Sequence, residues 1–453
     1  MSKHHVRALY SVREGALRAE IARTLPSASA CDTDSVVLDA LHGIALAVEG
    51  LDADLLSALT TTLDAHGGHV LSSSCPTPAS ATTAIIAGSL SSLDKAAATL
   101  MGADEAPDAG AMRGVTRRVT RRVTHRVTRL GAELSFVLDA VGRSRYVSPT
   151  LTLGDGRYRR QWRWGERTYV MGIVNCTPDS FSGDGLLSTS IAQQGQGRGS
   201  PTRLDAVEQA RRFLEQGADI IDIGGESTRP GGEPVDAATE LARVLPVIEA
   251  LCASDAPPPI SIDTYKAEVA RAALDAGAVM VNDVWGLRRD PEMAPLIAER
   301  GVPVVIMHNR SKPDEAALAD LGGRYIGSRY DNLLADILRE LDDQVEAAVA
   351  AGIAKAQILI DPGIGFGKTV SQNLALLNHV DQLRSLGLPI LLGSSRKSFI
   401  GYTLDLPQDQ RVEGTAATLA VGIARGGVDV VRVHDVQAMT RVTRMADAVV
   451  RAH

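Results

Sequence analysis

Aliphatic runs recur through the last two-thirds of the chain, at residues 170–174, 220–223, 260–262, 279–281, 304–307, 358–360, 390–392 and 430–433, eight in all. Their unbroken apolar character is that of parallel strands buried on both faces. Amphipathic stretches separate them, among them 204–216, 237–251, 267–276, 331–351, 371–386 and 412–424. Several stop at a glycine (Gly217, Gly277, Gly352, Gly387, Gly426), where a left-handed residue ends a helix. Eight such units in about 285 residues predict a (β/α)8 TIM barrel, an architecture of about 250 residues. In order, the runs lead into Asn175, Glu226, Asp263, Asn282 with Asp283, His308, Asp361, the stretch Ser394-Ser395-Arg396-Lys397, and His434 with Asp435. A barrel brings these strand ends to one rim, where active sites sit. A doubly wound open sheet shares the alternation but does not demand a polar residue at every strand end.

The leading part of the chain is less regular. Strands are expected at 6–10, 44–48, 70–72 and 83–87 and helices at 14–24, 53–64 and 91–101, which together suggest a small α/β domain. The tetrapeptide repeat VTRR-VTRR-VTHR-VTRL spans 115–130. Its period of four is near a helical turn, but its β-branched residues disfavour helix, and a solvated arm or edge strand is expected. The organisation read from the sequence is a small α/β domain over 1–112, the repeat and a linker over 113–165, and the barrel over 166–453.

Composition narrows the function without naming it. Hydrophobic residues make up 45% and charged residues 22% of 453, an ordinary balance for a soluble globular protein. No run approaches the roughly 18 apolar residues of a membrane span, and the first residues lead into no signal-peptide core, so a cytoplasmic location is expected. Cys31, Cys75, Cys176 and Cys252 include no C-x-x-C pair, which argues against a disulfide framework or a structural zinc site. The net charge of -7 argues against a chain-wide nucleic-acid surface but leaves room for a local anion site. Only seven of the 47 basic residues are lysine, so each lysine carries more information than usual.

Seven motifs fall at the strand ends: MGIVNCTPDSFSGDG (171–185), DIGGESTRPGG (222–232), SIDTYK (261–266), VNDVWG (281–286), IDPGIGFGKT (360–369), GSSRKSFIG (393–401) and RVHDV (432–436). In this order, over about 285 residues, the set closely resembles dihydropteroate synthase, the folate-pathway family that joins a pterin to p-aminobenzoate. The resemblance implies displacement of diphosphate from 6-hydroxymethyl-7,8-dihydropterin diphosphate by the arylamine, with Mg2+ as the helper ion. It assigns the pterin ring to Asp263, Asn282, Asp361 and Lys397, joined by Thr228, and the diphosphate to Arg432, His434, Asn175 and Arg229. Arg432 and His434 alternate along the last strand and so point the same way. Asn175 matches the family's Mg2+ contact, a hard oxygen ligand. p-Aminobenzoate, and competing sulfonamides, fall to Thr228, Arg229, Pro230, Phe366, Lys397 and Ser398. Phe181 and Asp184 lie in a lid-like loop. Asp184 falls in SGDG, one residue out of step with the commoner SDGG. Cys176 replaces a more usual aliphatic residue and reads as a small wall residue. The 188–201 stretch, rich in Gln, Gly and Ser, lengthens the lid. The family commonly forms homodimers, and no protein nucleophile is required.

Rival readings fail on single residues. GIGFGKT approaches a phosphate-binding P-loop, but Pro362 stands where that motif needs glycine. A corrinoid-linked pterin methyltransferase shares the barrel and pterin pocket, and Asp64-Ala65-His66-Gly67-Gly68-His69 approaches D-x-H-x-x-G but breaks at His69. That alternative has no need of Arg229, Ser398, Arg432 and His434. A non-enzymatic reading gives the leading 160 or so residues a binding role in which the arginine repeat meets anions, with steep salt dependence as its mark.

Overall fold

A computed structural model describes residues 5–9, 44–72, 82–101, 127, 130–132, 134–135, 137, 147–156, 159–177, 203–227, 234–311, 316–317, 324–325 and 328–452. These fall into two compact units, one of Met1–Tyr146 with Gln382–Gly387 and one of Val147–Asp381 with Leu388–His453.

In the first unit, β1 (His5–Leu9), β2 (Ile44–Leu51), β3 (His69–Ser72) and β4 (Thr82–Gly88) form an antiparallel sheet in the order β1-β2-β4-β3. Helices α1 (Ala53–His66) and α2 (Leu90–Met101) bury one face each. Asp52 caps α1 by accepting from the Leu55 N–H, and Gly67 ends it at φ +74°. Leu55, Leu59 and Leu63, four apart on α1, pack with Leu46, Val48 and Ile86 of the sheet. Six of the seven expected elements are present; the seventh, at 14–24, lies outside the described residues.

The repeat departs from expectation at its C-terminal end. Val127 and Leu130 are helical and buried in this same core, with Leu134 and Val137 continuing the face. Burial of that stripe outweighs the modest helix cost of a β-branched residue. Gly131 permits the approach: a Cβ there would lie 2.7 Å from the Met101 nitrogen. Residues 115–126 lie outside the described residues.

The second unit is the barrel. Eight parallel strands, β7 (Tyr169–Asn175), β8 (Ile220–Gly224), β9 (Ile260–Asp263), β10 (Met280–Asp283), β11 (Val304–Met307), β14 (Ile358–Asp361), β15 (Leu391–Leu392) and β16 (Val430–Val433), run in the order β14-β11-β10-β9-β8-β7-β16-β15. A bridge between Ile360 and Ile390 joins the two ends of that order and closes the ring. Every expected strand is found within a residue or two, because the aliphatic residues of each face inward or outward against packed neighbours and are buried.

Helices α3 (Arg203–Glu215), α4 (Ala237–Cys252), α5 (Ala267–Asp275), α6 (Met293–Arg300), α7 (Leu333–Ala350), α8 (Val370–Asn378), α9 (Ser398–Leu404), α10 (Val412–Ala424) and α11 (Val436–Val450) accompany the strands. The helix expected over 371–386 ends at Asn378 and continues as a 3-10 segment. The five glycines expected to end helices all have positive φ, between 66° and 112°. Before the barrel, β5 (Thr150–Leu153) and β6 (Arg160–Arg163) form a hairpin inside what reads as linker, and after β11 the two-residue strands β12 (Ala316–Ala317) and β13 (Arg324–Tyr325) pair antiparallel. Trp162 holds the β5–β6 hairpin to the barrel by stacking on Tyr169, ring centroids 4.5 Å apart. No helix among the described residues is long and apolar enough to cross a membrane.

Candidate active site

Strand register builds the rim. Asn175 pairs with Gly224, Gly224 with Asp263, and Asp263 with Asn282, so four adjacent strands present one row at their C-terminal ends. Gly224 leaves space in that row, since a Cβ there would contact Asp263 at 3.4 Å. One layer below Gly224, on the same face of β8, lies Asp222.

Asp222 is fully buried and central. Its Oδ2 accepts from Arg432 Nε at 2.6 Å and from Asn282 Nδ2 at 3.0 Å. Arg432 also donates, through Nη2, to Asp263. Two carboxylates therefore share one guanidinium, and the amide of Asn282 is oriented by the first of them. Asp222 Oδ1 has no hydrogen-bond partner among the described residues. Burial pushes the Asp263 carboxyl up to about 7, against the pull of Arg432.

The opposite wall comes from the loop after β14. Asp361, buried, accepts from the Gly363 N–H at 2.6 Å, and burial raises its pKa despite the nearby Lys397. Gly363 has φ +69°, and any side chain there would overlap the His308 carbonyl oxygen. Gly365, at φ +84°, lets Lys397 lie against the backbone, 2.8 Å from where a Cβ would be. Lys397 donates to the Ile364 carbonyl and sits 4.4 Å from the centre of the Phe366 ring. Burial lowers its pKa to about 8.

Other polar strand ends serve the scaffold. Arg396 makes a buried two-pronged pair with Asp435, at 2.6 and 2.8 Å, which ties the ends of β15 and β16 together. Asp283 accepts from the Trp285 and Leu287 N–H groups at 2.7 and 2.9 Å. Glu226, expected on the rim, is held by Lys266, which also reaches the buried Glu240 at 2.5 Å. Cys176 is half-buried just past the end of β7, and desolvation pushes its thiol up to about 12, in keeping with a packing role.

Of the expected site residues, Asp263, Asn282 and Arg432 form one hydrogen-bonded group through Asp222, and Lys397 lies near both the Asp361 carboxylate and the Phe366 ring. His434 lies beside Ser395, whose hydroxyl is 3.0 Å from Nδ1 and accepts from the His434 N–H at 3.2 Å. Asn175 ends β7 half-buried, and Ser398 opens α9, also half-buried. Phe181, Asp184, Thr228, Arg229 and Pro230 lie outside the described residues. Asp222 was not among the expected residues. Its signal is an acid inside an apolar strand, in the run Ile-Ile-Asp-Ile, which burial tolerates only when the charge is paired.

A family profile described as pterin binding enzyme matches residues 171–434. The dihydropteroate synthase of Clostridium beijerinckii is 44% identical over 292 residues, which are 64% of this chain and 98% of the relative. A solved structure of Xanthomonas albilineans dihydropteroate synthase with 4-aminobenzoic acid is 40% identical, with a TM-score of 0.55 over 65% of this chain and 97% of that one. Another from the same organism, in complex with 7,8-dihydropteroate, is 39% identical, with a TM-score of 0.54 over 65% of this chain and 97% of that one.

Proposed function

The chain belongs to the pterin-binding enzymes, in the dihydropteroate synthase family, and on that premise we propose that its barrel condenses 6-hydroxymethyl-7,8-dihydropterin diphosphate with p-aminobenzoate, releasing diphosphate. The bond between the pterin methylene carbon and the bridging oxygen breaks. The amine lone pair forms the new carbon–nitrogen bond, and the amine gives up one proton. The observation that carries this reading is the grouping of Asp263, Asn282, Asp361 and Lys397, from four separate strand ends, beside the paired Arg432.

A pterin ring carries amino and ring N–H donors on one edge and a carbonyl acceptor beside them. Asp263, Asn282 and Asp361 match the donors, and the Lys397 ammonium matches the carbonyl. As diphosphate leaves, positive charge spreads from the methylene into the ring. Ionised Asp263 and Asp361, in a water-poor site, stabilise that charge more than they stabilise the ground state. With its pKa near about 7 in the free protein, Asp263 is part protonated at neutral pH. A ring that donates to the carboxylate favours the ionised form, so pterin binding releases a proton there.

Arg432 and His434 lie on the side where the leaving group collects charge. With the Ser395 O–H donating to His434 Nδ1, Nε2 bears the ring proton and is a donor for a phosphate oxygen. No group of three His, Cys, Asp or Glu able to hold a metal occurs among the described residues. The half-buried Asn175 would hold a Mg2+ ion through its amide oxygen, a hard ligand suited to that ion. When bound, that ion would neutralise charge on the leaving diphosphate. The Phe366 ring, Lys397 and Ser398 offer an apolar plate, a cation and a hydroxyl to an aromatic carboxylate, with Thr228, Arg229 and Pro230 completing the subsite. Sulfonamides, which share the arylamine, compete there. Phe181 and Asp184 help close the site.

Calorimetric titration with the pterin diphosphate tests the pocket. Asp361→Asn is expected to weaken binding by about tenfold or more through the lost charged acceptor, and an unchanged affinity would contradict the assignment.

A further inference from the structure

Lys368, in the GFGK motif, is buried and has no assigned contact with substrate. Its Nζ donates to the Gly363 carbonyl at 2.9 Å and the Phe366 carbonyl at 3.1 Å, and lies 3.1 Å from His308 Nδ1. His308 directly follows β11 and is itself buried. Its Nε2 lies 3.1 Å from Glu340 Oε2 on α7. Glu340 is further gripped by Arg310, whose Nε donates to both carboxylate oxygens at 2.9 and 3.1 Å.

The donor count matches the arrangement. An ammonium has three hydrogens for three acceptors, the two carbonyls and Nδ1, and burial brings its pKa down to about 7. His308 then carries its proton on Nε2 and donates it to Glu340. Burial alone would raise the Glu340 pKa, but the hydrogen bonds from His308 and Arg310 outweigh it and bring the group to about 2. Burial takes His308 down to about 4, so its ring is neutral and Nδ1 is free to accept.

The two carbonyls bracket the segment Gly363 to Phe366. That segment carries the Phe366 ring and, through the Ile364 carbonyl, receives Lys397. Its glycines have no side chains to hold it in place. The Lys368 ammonium pins it from below at both ends, and Asn373 Oδ1 accepts from the Gly365 N–H at 2.7 Å.

We infer that Lys368, His308 and Glu340 form a buried positioning relay that sets the 363–366 loop and thereby places the Phe366 ring for the aromatic carboxylate substrate. Lys368 is a positioning residue and does not touch the reacting atoms. The inference rests on the proposed synthase reaction, and wild-type turnover is the reference that separates the two. A wild-type chain that converts neither substrate overturns both readings. An active wild type leaves the relay to be judged from its variants alone.

The test is steady-state kinetics with the full chain and a separate titration with the pterin diphosphate. Lys368→Met keeps the stem and removes the ammonium. It is expected to raise KM for p-aminobenzoate by about tenfold or more while pterin affinity stays within about threefold. An unchanged p-aminobenzoate KM, or an equal loss for both substrates, overturns the relay. Should Lys368→Met not fold, His308→Leu and His308→Asn take its place, because the Asn Oδ1 can replace the Nδ1 acceptor. The Leu variant is expected to raise that KM about tenfold and the Asn variant to stay within about threefold. Identical behaviour of the two overturns the proposal.

Discussion

Asp222 on β8 holds Arg432 on β16 past the intervening strand β7: its Oδ2 accepts from the arginine Nε at 2.6 Å and from Asn282 Nδ2 at 3.0 Å. One buried oxygen thus orients both a cation on the diphosphate side and an amide on the pterin side. Asp222→Asn keeps the shape and removes the charge. The variant is expected to lose about 30- to 100-fold in kcat/KM for the pterin diphosphate, the range for a charged hydrogen bond. Unfolding in urea should show a stability loss of about 3–5 kcal/mol, as for a broken buried pair. Wild-type kinetics for this variant would remove Asp222 from the site.

Arg432→Ala reads from the sequence as a change felt mainly by diphosphate. The structure adds a second effect, because the substitution leaves Asp222 and Asp263 facing one another with no cation between them. Asp263, already raised to about 7, is then harder still to ionise. A pterin alcohol that lacks the diphosphate is therefore expected to bind the variant more weakly than wild type at about pH 7, and to regain affinity at about pH 9 as the carboxyl ionises. Equal affinity for that ligand in the two proteins at about pH 7 would limit Arg432 to diphosphate.

How much of this was legible depended on which force left a mark in the sequence. The barrel strands were readable because burial on both faces demands unbroken apolar runs, as in residues 304–307 and 358–360. The rim residues were readable because they follow those runs, and Asp263, Asn282, Asp361 and Lys397 lie where the motifs put them. Partnership was harder to read. Nothing in the order of residues says that Glu226 would be taken by Lys266, that Arg396 would bind Asp435, or that Asp222 rather than Glu226 would pair with Arg432. The same holds for Val127, whose helical state comes from the core it joins and runs against its own propensity.

The relay beneath the loop also predicts a pH effect on stability. The His308 pKa is lowered by burial and by Lys368, from 6.5 to about 4. Between those values the unfolded chain binds more protons than the folded one, so this group's contribution rises with pH and is lost as pH falls from 6.5 towards 4. The full span is worth up to roughly 3 kcal/mol. Asp263 and Asp283, raised to about 7 and about 6 by burial, act with the opposite sign over much of this window, so the total slope does not isolate the histidine. The difference between wild type and His308→Asn does. Urea unfolding at several pH values should show the wild type losing more stability than the variant between about pH 6.5 and 4.5. Parallel curves would show that His308 is not held neutral.

The most direct measurement of the central claim is turnover itself. The purified chain is given 6-hydroxymethyl-7,8-dihydropterin diphosphate, p-aminobenzoate and Mg2+, and both products are quantified by chromatography and mass spectrometry. The account predicts 7,8-dihydropteroate and diphosphate in equal amounts, formed only when both substrates are present. A folded chain that binds the pterin yet forms no dihydropteroate under those conditions would contradict it.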